Sequence, residues 1–164
     1  MSTESLQDRY AKQSICFGCG PANEHGLRIK SFIAPSDAPG SGDSDEFICR
    51  FTPEPHHHAF PGMLNGGIIG AVLDCHSNWA ASIHLMQKGN LSAPPCSVTS
   101  DFHVTLKRPT PMGEVLLRAK VVESSDTKAV VEATLEAGTP PRLTATCRGT
   151  FVAVKEGHPA FHRW

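Results

Sequence analysis

The chain has 164 residues, 40% of them hydrophobic and 19% charged, with a formal net charge of −1. That length and balance suit one domain with a buried core and exclude a disordered segment. Near-neutrality leaves no electrostatic footprint for nucleic acid or an anionic membrane, and no apolar run approaches the roughly 20 residues needed to cross a bilayer.

The N-terminal stretch "MSTESLQDRYAKQ" is polar and lacks the apolar core of a signal peptide, so residues 1–14 read as a mobile or weakly helical arm. With no secretion signal, the six cysteines (16, 19, 49, 75, 96 and 147) are expected as reduced thiols in a cytoplasm. "CFGCGPANEHG" (16–26) is a loop punctuated by Gly and Pro. "LRIKSFIA" (27–34) reads as a strand, "PSDAPGSGDSD" (35–45) as a solvated loop, and "EFICRF" (46–51) as a second strand running into the loop "TPEPHHHAFPGML".

From Asn65 to Gln87 there is no Lys, Arg or Glu, and one charged residue, Asp74. Asn65 is a good N-cap for a helix here. At helical spacing Ile68, Ala71, Val72, Cys75, Trp79, Ile83 and Met86 form one stripe, and Ile69, Leu73 and Ala80 widen it. Such a helix should be enclosed on most sides, as if a sheet wraps it. The remaining sector holds Gly67, Gly70, Asp74, Ser77, Asn78, Ala81 and His84, small or polar groups that leave room beside the carboxylate for a ligand or a second subunit.

Four strand-like runs follow, at 96–107, 114–124, 128–137 and 142–154. Alternation is clearest where Val131, Ala133 and Leu135 interleave with Glu132, Thr134 and Glu136. The breaks "KRPTPMG", "SSD" and "AGTPP" predict an antiparallel meander. Strand, strand, helix and four strands make an α+β domain over 15–154, with a tail over 155–164.

Asp74 has two readings. It is either a helix-interior carboxylate satisfied by a neighbour, or a functional group. Asp is a poor mid-helix residue and an unpaired buried charge is costly. It also follows the Gly-Gly helix start by about two turns, near free amides that suit a developing oxyanion. The functional reading is preferred.

"LNGGIIGAVLDCHSNWAA" resembles the His-Gly-Gly motif, with Asp seven residues later, of PaaI-like hotdog-fold acyl-CoA thioesterases. "CFGCGPANEHGLRI" is similar to the N-terminal segment of many bacterial members, so the resemblance spans 15–154. It implies a hotdog fold, an antiparallel sheet around one long helix. It implies Asp74 as general base or nucleophile, the Gly66 amide (with Gly67) polarising the thioester carbonyl, and Thr99 holding the attacking water from across a dimer interface, beside the partner's Asp74. Two positions depart from the pattern: Asn65 replaces the usual His, and Ala59 replaces a polar loop residue. Asn can cap the helix and donate a hydrogen bond but does not titrate near neutrality; His57 or His58 are the candidates to compensate.

The remaining signals are weaker. Three adjacent residues, His56, His57 and His58, do not converge easily on one ion, and Cys16-x-x-Cys19 lacks a second ligand pair, so neither is read as a metal site. Asp101 and His103 share a strand parity and read as a polar face. Asn78 lies in the sector beside Asp74, and Lys107 with Arg108 suits the phosphates of coenzyme A. The resulting expectation is hydrolysis of an acyl-CoA thioester without metal or organic cofactor, by a homodimer or dimer of dimers, with no nucleic-acid or membrane partner. The alternatives are a non-catalytic acyl- or CoA-binding module, or a hydratase or dehydratase, against which the missing His argues.

Overall fold

Val72, Leu73, Trp79 and Ala80 have no exposed surface, and that burial organises everything around them. They belong to α2 (Gly66–Lys88), which the sheet covers on one side while the N-terminal loop meets it at Cys75 and the tail at Trp79, so that it is enclosed on most sides as its apolar width requires. Fully burying each Val- or Leu-sized side chain contributes roughly 1.5–3 kcal/mol. The computed structural model describes residues 4–35 and 45–164. Apart from its two ends, the loop expected over 35–45 lies outside the described residues, as does the start of the N-terminal arm.

The sheet has six strands: β1 (Ser31–Ile33), β2 (Glu46–Phe51), β5 (Ser97–Leu106), β6 (Val115–Ser124), β7 (Lys128–Ala137) and β8 (Arg142–Ala153). Their order is β1-β2-β6-β7-β8-β5 and every pairing is antiparallel. A small hairpin, β3 (His58–Phe60) with β4 (Met63–Leu64), precedes the helix. This is the α+β hotdog arrangement, a long helix held against an antiparallel sheet.

The meander holds for β6, β7 and β8 but not for β5, which pairs with β8 and forms one edge of the sheet. The segment 107–114 is therefore a crossover and not a hairpin turn. It is fastened to the chain ahead of α2: Leu64 N–H donates to the Thr110 carbonyl at 2.8 Å, and Met112 N–H to the Gly62 carbonyl at 2.9 Å. This brings the end of β5 to the start of the helix.

Two further expectations are corrected. The strand read over 27–34 is sheet-paired only at Ser31–Ile33. Arg28 has a left-handed φ of 49°, and Leu27 and Ile29 donate to the Phe17 and Gly18 carbonyls of the preceding loop instead. The N-terminal arm is helical, one of the two states expected of it, but docked and not mobile. Its helix α1 (Leu6–Tyr10) is capped by Ser5, and Leu6, Gln7 and Ala11 are buried. Gln7 Nε2 donates to Ser31 Oγ at 3.0 Å, while Ser31 N–H donates to Gln7 Oε1 at 2.8 Å. At the other end Trp164 stacks on Trp79, ring centroids 4.7 Å apart, so the tail also belongs to the body of the domain.

Gln7→Ala would strand the buried Ser31 N–H. A loss of about 1–3 kcal/mol is expected, read as a lower urea midpoint at unchanged slope. An unchanged midpoint would mean that α1 docking contributes nothing to stability.

Candidate active site

Asp74 sits midway along α2, half-buried, and Thr99 Oγ1 donates to its Oδ1 at 2.7 Å. Both residues belong to one chain, so the expectation that Thr99 faces a partner's Asp74 is corrected. The reason is a β-bulge. Thr99 is opposite Phe151 and Asp101 opposite Thr150, so Ser100 is an extra residue in β5. Ser97 and Thr99 face the helix; beyond the bulge Phe102 and Val104 take over that face, which sends Asp101 and His103 outward to solvent. Burial pushes the Asp74 carboxyl above the usual carboxylate range. The Thr99 hydrogen bond opposes that shift, the Cys16 sulfur adds to it, and Arg163 of the tail opposes it.

At the helix start the Asn65 side-chain oxygen accepts from Gly67 N–H at 2.8 Å and from Ile68 N–H at 3.3 Å. The capping expectation is met, with a consequence for the donors: the Gly67 amide is taken by the cap, leaving the Gly66 N–H as the first-turn donor the cap does not use. Gly66 and Asp74 are eight residues apart, about 12 Å along the axis at 1.5 Å per residue. One carbonyl cannot touch both groups of the same helix.

A depression of about 410 Å³ opens beside Gly66, lined among others by Phe60, Leu106, Lys107 and Arg108. Phe60 and Leu106 are 56% and 54% exposed, unusually open for large apolar side chains. The cation pair thus joins an apolar groove at the N-terminal end of the helix. Phe60 and Leu106 escaped the sequence reading because the first lies in a hairpin not foreseen and the second is turned toward the helix start only by the bulge.

Other candidates are placed elsewhere. Asn78, expected on the open sector, is 3% exposed; its amide donates to the Ser97 carbonyl and its oxygen accepts from Ser97 Oγ at 2.8 Å. Ser77 and Ala81 are likewise buried, so the open sector narrows to Gly67, Gly70, Asp74 and His84. His57 Nδ1 accepts from Glu54 N–H at 3.0 Å, and its ring stacks on Phe51. Burial and His56 hold its pKa below the ordinary value, with Glu54 opposing. The exposed His58 uses Nδ1 on the Pro55 carbonyl. Both rings brace the turn before α2, which the Asn65 N–H to His57 carbonyl bond of 3.0 Å completes. Ala59 is exposed in β3. Cys16 and Cys19 do not stand alone, because Cys75 reaches them from α2.

A sequence profile of the thioesterase superfamily matches residues 61–144, just over half of the chain. The chain belongs to the thioesterase superfamily. A thioesterase superfamily protein from Shewanella loihica is 29% identical, with a TM-score of 0.62 over 82% of this chain and 98% of that one. The zebrafish thioesterase superfamily member 2 is similar in fold at 22% identity, TM-score 0.59, over 81% and 90% of the two chains. The PaaI protein of the Escherichia coli phenylacetic acid degradation operon is similar at 16% identity and TM-score 0.60, over 79% and 81%. No curated protein is significantly similar in sequence. The fold is that of PaaI-like hotdog thioesterases, and superfamily membership supports thioester hydrolysis as the general reaction. Among the described residues no helix is long and apolar enough to cross a membrane.

Because the Asn65 oxygen holds two first-turn amides, Asn65→Ala should lower stability by about 1 kcal/mol, measured by denaturant unfolding. Stability equal to that of the parent protein would show that the cap is dispensable.

Proposed function

We propose that the protein hydrolyses an acyl-CoA thioester, with Asp74 as general base and the Gly66 N–H as oxyanion donor in a site assembled from two copies of the chain. The observation that carries this reading is the pairing of a half-buried carboxylate, oriented by Thr99, with a helix N-terminal amide too distant to serve the same carbonyl within one chain. A second copy resolves the distance. Strand β5 is ten residues long and is an edge of the sheet, and unpaired edges of that length invite pairing. Antiparallel pairing of two β5 edges would run the α2 helices in opposite directions, bringing Gly66 of one copy toward Asp74 of the other. The partnership expected of Thr99 thus passes to Gly66.

In this reading the thioester carbonyl accepts from Gly66 N–H, where the helix dipole favours negative charge. Thr99 holds Asp74 Oδ1 and leaves Oδ2 outside that bond. The carboxylate takes a proton from water as the water oxygen attacks the carbonyl carbon. The tetrahedral oxyanion collapses, the C–S bond breaks, and the proton held by Asp74 passes to the departing thiolate. Products are the free acid and CoA. Lys107 and Arg108 would meet CoA phosphates while Phe60 and Leu106 cover apolar parts of the substrate. Asn65, its oxygen committed to the cap, acts by presenting the Gly66 amide and not as an acid or base. No metal or organic cofactor enters these steps.

Asp74→Asn keeps shape and removes the charge, so kcat for thiol release from a panel of acyl-CoAs should fall at least ~10²-fold while KM and assembly change little. Near-parental turnover would remove Asp74 from the chemistry. A parent protein that binds acyl-CoA by calorimetry but releases no thiol would establish a binding module instead. Sedimentation at micromolar concentration should show a dimer or a larger even assembly; an active monomer would contradict the shared site.

A further inference from the structure

The cluster at Cys16, Cys19 and Cys75 is used by neither the fold's core packing alone nor the hydrolysis described above. The three sulfurs lie within 4.8 Å of one another, and the Cys16 and Cys75 sulfurs are 3.7 Å apart. A disulfide requires about 2.05 Å. Tetrahedral zinc, with Zn–S bonds of about 2.3 Å, requires thiolate sulfurs about 3.8 Å apart. The pair therefore stands at ligand spacing and not at bonding distance.

The surroundings are built for sulfur. The loop is closed by Gly20 N–H donating to the Cys16 carbonyl at 2.8 Å. A Cβ on Gly18 would lie 2.3 Å from Cys75 Sγ, so only glycine lets the loop approach that sulfur. Trp79 contributes a second, independent observation. Its indole N–H is fully buried with no hydrogen-bond partner among the described residues, and the Cys19 sulfur is beside it. An N–H donor held against sulfur is the outer support that metal thiolates commonly have. Cys19 and Cys75 are buried, while Cys16 opens onto a depression of about 590 Å³ that also includes His162 and Arg163.

We propose that Cys16, Cys19 and Cys75 form a binding site for one thiophilic metal ion of the zinc class, with its fourth position open to solvent at Cys16. The ion clamps the 16–20 loop to α2 at the residue following Asp74. Binding replaces thiol protons with metal–sulfur bonds and so releases protons without any redox change. Sequence alone missed the site because its third ligand is a single helix cysteine with no motif around it.

The test uses the full-length, reduced, metal-free protein titrated with Zn²⁺ by calorimetry in buffers of different ionisation heat, and with Co²⁺ by absorption. Saturation at one ion per chain is expected, with proton release, sulfur-to-cobalt charge-transfer bands in the near ultraviolet, and a higher Tm in the presence of zinc. Cys75→Ala should weaken binding about 100-fold or more, and Gly18→Ala, with every thiol intact, about 10-fold. Asp74→Asn should still bind one ion per chain with the same charge-transfer bands, which separates this proposal from the catalytic one. Absence of saturable binding by the folded parent protein would overturn the proposal without recourse to any variant. So would binding that survives Cys75→Ala, or a Cys16–Cys75 disulfide whose reduction yields no metal affinity.

Discussion

The seating of α2 is the constraint on which the rest of the molecule depends. Val72, Leu73, Trp79 and Ala80 have no exposed surface, covered by the sheet and, at Trp79, by Trp164 of the tail, so the helix can neither rotate nor slide without opening the core. Each chemical group on it is thereby fixed in phase and height. Asn65 caps its start, Gly66 presents an amide, Asp74 meets Thr99, and Cys75 meets the N-terminal loop. A change of 100° in helical phase separates a carboxylate facing the open sector from a sulfur facing the loop. Adjacent residues thus serve different chemistry without competing for the same space.

The surrounding elements converge on this helix from distant parts of the chain. The crossover 107–114 ties the end of β5 to the segment before Gly66 and places Leu106, Lys107 and Arg108 there. The bulge at Ser100 keeps Thr99 on the helix face while restoring the apolar alternation at Phe102 and Val104. The tail returns Trp164 to Trp79, and Arg163 to the field of Asp74. Superfamily membership supports thioester hydrolysis, and these placements offer a physical account of how such a reaction could be positioned here.

The helix, its cap and the lone carboxylate were legible because each leaves a local mark: a period of 3.6 residues, an Asn before a Gly pair, and a charge within an apolar run. Strand existence was legible for the same reason at a period of two. Pairing was not. Gly and Pro between 107 and 113 mark a break but carry no information on which strand lies beside β5. The bulge was hidden because an inserted residue reverses parity without changing composition. Asn78 looked available because a single chain does not announce that Ser97 will fold onto it. Cys75 looked like one more apolar residue of the stripe, and the docking of Gln7 depends on Ser31, 24 residues away.

The central claim is that one site takes its oxyanion donor and its base from different copies of the chain. Gly66 is the first residue of α2, a position where proline is tolerated while its missing N–H removes the donor. Gly66→Pro and Asp74→Asn chains, each inactive alone, can be dissociated, mixed and reassociated, and thiol release then measured. The account predicts that activity returns on mixing, because a hybrid pair contains one site with both native groups. Mixed chains that exchange subunits yet remain inactive would place the two groups in the same copy and contradict it.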